Sequence, residues 1–135
     1  MDTTFLDRQL GDFVCILGMA LRAGYSLRQA MEAMSDRAPE PTVSVCRGSV
    51  ADLEAGCTYD EAFANVQAAW PSPYLAQIVE TIVRHQQTGG NLADQLDPLS
   101  EQIYQAVGSD EALYPEMRKL AHAVQGPLPE RAREE

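Results

Sequence analysis

The chain has 135 residues, 45% of them hydrophobic and 22% charged, the size and balance of one folded domain rather than a disordered polymer. Ten basic residues against twenty acidic ones give a net charge of −10, shared equally by the two halves. That balance excludes nonspecific adhesion to nucleic acid or anionic lipid over the whole surface and favours a basic partner surface.

In chain order, apolar spacing predicts one helix after another. Leu6, Leu10, Phe13, Val14, Leu17, Ala20 and Leu21 recur at three-and-four intervals and form one buried face. A second run holds Leu27, Ala30, Met31 and Met34. The break Pro39-Glu40-Pro41 opens a third, with Val43, Val45, Cys46, Val50 and Leu53. A short fourth run, Tyr59, Ala62, Phe63 and Val66, stops before Trp70-Pro71-Ser72-Pro73. Leu75, Ile78, Val79, Ile82 and Val83 make the fifth, and Leu92, Leu96, Leu99, Ile103 and Val107 the sixth. A weaker seventh runs from Leu113 to Val124 with Pro115 near its start, and from Gly126 the chain reads as a frayed tail. Nothing alternates as a strand does. The predicted fold class is all-α, with a helical domain over 1–107 and an additional helix and tail over 108–135.

Three bends share one wording. Ala23-Gly24-Tyr25-Ser26-Leu27, Ala55-Gly56-Cys57-Thr58-Tyr59 and Gly89-Gly90-Asn91-Leu92 each place glycine at a helix end, then a capping residue, then an apolar residue. Glycine takes the left-handed conformation at little steric cost, and Ser26, Thr58 and Asn91 offer oxygens to the orphan amides of the next helix. Ser26 to Gln29 and Thr58 to Glu61 have capping-box spacing, and Met31, Phe63 and Leu96 follow the caps by five residues. The glycines lie 32 and 33 residues apart, counting 24, 56 and 89. A compact bundle of about six helices fits this echo, as does a short helical solenoid binding a partner peptide. Only the corners repeat well, while helix lengths and faces do not, which favours the bundle.

Signs of chemistry are sparse. His85 and His122 have no zinc-binding spacing, and Cys15, Cys46 and Cys57 form no CxxC, reading as reduced, buried thiols. Thr88-Gly89-Gly90-Asn91 lacks the lysine and the preceding strand of a phosphate loop. Asp94, Asp97 and Glu101 share a helix face that offers oxygens to a divalent cation, or more simply a solvated acidic surface for a basic partner. No catalytic residue, metal site or cofactor is expected. No membrane-length apolar run is present, and Met1 is followed by no basic and apolar leader.

The corners carry a family resemblance. Leu21-Arg22-Ala23-Gly24-Tyr25-Ser26-Leu27-Arg28-Gln29-Ala30-Met31 resembles the opening motif of the type II secretion system F domain. Leu53 to Phe63 is similar to its second turn and Thr88 to Leu96 to its third, in order and over about residues 6–107. The resemblance implies a six-helix bundle, the cytoplasmic domain of an inner-membrane platform protein of type II secretion, type IV pili or tight-adherence (Flp) pili. It implies a non-enzymatic role that couples a hexameric assembly ATPase to pilin extraction and filament growth, with other platform subunits as further partners. The Thr-Gly-Gly-Asn-Leu wording is nearest the tight-adherence branch, since the general secretion branch usually has glutamate where this chain has Gln87. Family members carry flanking transmembrane helices, so an excised domain on the cytoplasmic face of the membrane is expected. Asp110, Glu111 and Pro115 stand where the family tends to have an arginine-rich helix.

Overall fold

A computed structural model describes residues 2–125. The described chain forms seven α-helices and a single 3-10 turn, with no strand. They are α1 (Thr4–Arg22), α2 (Leu27–Arg37), α3 (Thr42–Glu54), α4 (Tyr59–Ala69), α5 (Pro73–Thr88), α6 (Leu92–Val107) and α7 (Tyr114–Val124), with the 3-10 turn Glu111–Leu113 before α7. The first six predicted apolar runs each lie on one of these helices, and the seventh, from Leu113, begins in the 3-10 turn and continues along α7. The tail expected from Gly126 falls outside the described residues.

Helix α1 is the axis of the bundle. Leu6, Leu10, Val14, Leu17 and Ala20 are almost wholly buried, and the helix touches α2, α3, α5, α6 and α7. Its most extensive partner is α6, which follows it by some seventy residues. A solenoid repeat meets only its neighbours in sequence. Here the first helix packs on nearly all the others, so one core serves the described residues. Met31, Met34, Phe63, Ile78, Ile82, Leu96 and Ile103 fill that core from α2, α4, α5 and α6. Met117, Leu120 and Val124 on α7 join the same core against α1 and α2.

Two breaks between helices are tied back to α1 by side chains that the apolar pattern does not mark. Gln9 is 2% exposed; its amide donates to the Glu40 carbonyl at 2.7 Å, while its oxygen accepts from the Thr42 amide at 3.2 Å and hydroxyl at 2.6 Å. Pro41 stands at the N-cap of α3 without a side-chain acceptor, so Gln9 caps that helix from a distance. Ser72 caps α5, accepting from the amides of Tyr74 and Leu75 and donating to Asp7. Pro73 then occupies the first turn of α5, where no amide partner is lost. Pro115 enters α7 the same way. Pro98, by contrast, lies inside α6 and removes one helical hydrogen bond, yet the buried face of Leu92, Leu96 and Ile103 carries the helix through.

Candidate functional site

The three bends are built from two designs. At the first, Gly24 has φ +100°, its amide donates to the Leu21 carbonyl, and the Tyr25 amide reaches back to Ala20. At the second, Gly56 has φ +98°, its amide donates to Leu53, and the Cys57 amide reaches back to Asp52. Both are Schellman closures, which satisfy the orphan carbonyls of a helix end. Both lead directly into a complete capping box, Ser26 with Gln29 and Thr58 with Glu61. Met31, Phe63 and Leu96, five residues past each cap, are all buried.

The third bend departs from the expected single left-handed glycine. Gly89 is the C-cap, at φ 74° and ψ −157°, and Gly90 follows at φ 94°. No second amide reaches back, and side chains do the work instead: Gln95 donates to the Gly89 carbonyl, and His85 bonds the Gly90 carbonyl through Nε2 at 2.9 Å. Asn91 then caps α6 by accepting from the Asp94 amide. Gly108 ends α6 with nearly the same dihedrals as Gly89, φ 72° and ψ −155°, a fourth corner that the three-bend echo does not include. Its signal was present as glycine followed by Ser109 and Asp110, the latter capping the 3-10 turn.

A test of the first two bends follows from their φ values. Gly24→Val and Gly56→Val should each cost on the order of 1–2 kcal/mol through left-handed strain, although neither site is crowded. Unchanged melting temperatures in both variants would show that these φ values are not the ones adopted in solution.

The acidic face predicted on α6 is exposed, but it is not a row of bare carboxylates. Arg22, the last residue of α1, bridges Asp94 at 2.9 Å and grips Asp97 through both guanidinium nitrogens, at 2.6 and 3.3 Å. These hydrogen bonds, first Asp97 and then Asp94, hold the Arg22 guanidinium above its ordinary range. All three side chains are substantially solvent-exposed, so the bridge orients the surface more than it stabilises the fold. Glu101 lies one turn on and accepts from Gln105. Three carboxylates and one guanidinium leave the cluster anionic, with Arg22 fixing where two of the charges point.

Beneath this surface lies an antiparallel seam between α1 and α6 that sequence reasoning missed. A Cβ at Gly11 would stand 2.8 Å from two ring carbons of Tyr104, and one at Gly18 would meet Arg22 at 3.4 Å and Asp97 at 3.7 Å. The two glycines are seven residues apart, and so are Tyr104 and Asp97, so the pairs meet in register. Ser100 donates to the Gly11 carbonyl, and the Tyr104 hydroxyl donates to Asp12. Burial, reinforced by Asp12, holds the Tyr104 phenol well above the usual tyrosine range. The signal that could have found the seam was two interior helix glycines at heptad spacing, each costing about 1 kcal/mol unless packing needs it.

The remaining reactive groups stay apart. Among the described residues no group of three or more His, Cys, Asp and Glu side chains is arranged to hold a metal. The three cysteines are free. Only Cys46 is buried as expected, and burial pushes its thiol up to about 12. Cys15 and Cys57 are only partly buried, a correction to the expectation of three buried thiols: Cys15 lies beside the buried stripe of α1, and Cys57 lies in the second bend, outside any helix. His85 spends its Nε2 on the Gly90 carbonyl, while its Nδ1 is buried without a partner. That places it as a brace of the third corner. No helix among the described residues is long and apolar enough to cross a membrane.

Comparison with protein families matches residues 13–124 to the model described as type II secretion system (T2SS), protein F. The matched span opens within α1 and closes at the end of α7, taking in all three bends. Searches of curated proteins and of solved structures find no match. The chain belongs to the type II secretion system protein F family.

Proposed function

We propose that this chain is the non-enzymatic cytoplasmic domain of an inner-membrane platform protein, coupling a hexameric assembly ATPase to pilin assembly or secretion. The observation that carries this reading is the family match over 13–124, laid on a bundle whose corners close their own backbone groups. A helix end with satisfied carbonyls and a capped successor resists local melting, which suits a body that passes force between partners. The Thr88-Gly89-Gly90-Asn91-Leu92 wording favours the tight-adherence (Flp) branch, with other platform subunits and the pilin machinery as neighbours.

The motor is proposed to meet the α6 face at Asp94, Asp97 and Glu101. These carboxylates are exposed, two of them are held in fixed positions by Arg22, and their charge suits a basic counterpart. Replacing all three by lysine, with Arg22→Glu to keep the bridge intact, should weaken ATPase binding by at least about tenfold and flatten its salt dependence. Unchanged affinity and salt slope would reject this face as the contact.

A further inference from the structure

We infer that the groove between the end of α2 and α7 is a docking site for an acidic, partly apolar segment of a protein partner. This inference stands apart from the α6 face, which has the opposite charge and would take a basic partner.

Eight lysines and arginines lie among the described residues. Arg22, Arg28 and Arg84 are in ion pairs, and Arg8 and Arg47 donate to backbone carbonyls. Arg37, Arg118 and Lys119 have no hydrogen bond or ion pair among the described residues, and all three line one open groove with Pro115, His122 and Ala123. In a chain with twice as many acidic as basic residues, a free cation has carboxylates to spare as partners. Three gathered on one face repel each other instead. The helix dipole accounts for Arg37 at the last residue of α2, but not for Arg118 and Lys119 in the middle of α7.

The chemistry of the occupant follows from the lining. Two guanidinium groups favour planar, bidentate carboxylates over point charges. Pro115 and Ala123 supply apolar surface beside the cations, and a neighbouring cavity that shares Arg37 and Ala123 adds Tyr25, Ala33 and Leu120 along with the carboxylate of Asp36. An open groove that sets cations beside apolar side chains fits a peptide carrying acidic and apolar side chains on one face.

The test uses the whole chain and two fluorescent probe peptides, one an amphipathic Glu/Leu helix and the other its Gln/Leu counterpart. Saturable binding of the acidic probe is expected, weakened by about tenfold or more in Arg118→Glu/Lys119→Glu and in Arg37→Glu. Arg84→Glu on α5 should leave it unchanged, and the Gln probe should not bind. Equal binding of both probes, or no saturation of the acidic probe up to roughly millimolar concentration, overturns the inference. So does co-sedimentation with phosphatidylglycerol vesicles in place of peptide binding, which would make lipid the occupant. A dimer that dissociates on Arg118→Glu/Lys119→Glu, in the absence of probe, would make it a second copy.

Discussion

Gly11→Leu is expected to destabilise the chain by about 2–3 kcal/mol, the cost of overpacking a site with no spare volume. Even the first added carbon would stand 2.8 Å from the Tyr104 ring. The ring is not free to swing aside, because its hydroxyl is held by Asp12 and Ser100 secures the Gly11 carbonyl beside it. The sharper form of the experiment uses alanine. In a helix interior Gly→Ala alone stabilises by up to about 1 kcal/mol. At position 11 the clash with Tyr104 should reverse that sign. In a Tyr104→Ala background the clash is gone, and Gly11→Ala should become stabilising. Urea titrations of the four proteins complete the cycle. The same effect of Gly11→Ala in both backgrounds would mean that the glycine is not there to admit the ring.

Gln9→Leu should cost about 2–4 kcal/mol, since one substitution strands several buried polar groups. The Glu40 carbonyl loses a donor, and the Thr42 amide and hydroxyl lose their acceptor. Thr42 is 1% exposed, so water does not replace the missing bonds without opening the α2–α3 connection. Adding Thr42→Val to Gln9→Leu removes one stranded hydroxyl and should raise the total cost by less than Thr42→Val costs alone. A Gln9→Leu variant within about 0.5 kcal/mol of the parent would show that the connection does not depend on this side chain.

These two sites show where the sequence was readable. The helices and the first two bends were legible because Gly24, Ser26 and Gln29, and likewise Gly56, Thr58 and Glu61, act locally: each closure joins residues at most five apart. The third bend shares the wording but not the geometry, because the Gly89 and Gly90 carbonyls are met by Gln95 and His85, side chains outside the shared Gly89-Gly90-Asn91-Leu92. Gln9 and Gly11 carry no mark in the apolar pattern of the first helix. Their meaning comes from partners about thirty and ninety residues away, which periodicity does not encode. The acidic face was legible as spacing on α6, while Arg22, seen only as part of a corner motif, proved to be its counter-ion. The basic groove was hidden by the overall charge, since it takes the fold to bring Arg37 beside α7.

Amide hydrogen exchange on the chain, free and mixed with the hexameric assembly ATPase proposed as its motor, tests the central claim most directly, because it reads both the contact and the rigidity of the body. The amides of Gly24, Tyr25, Gly56 and Cys57, which close the first two bends, should be protected in both samples, with new protection appearing on α6 around Asp94 to Glu101. No complex with the ATPase, or bends that lose protection when it binds, would contradict a rigid coupling domain.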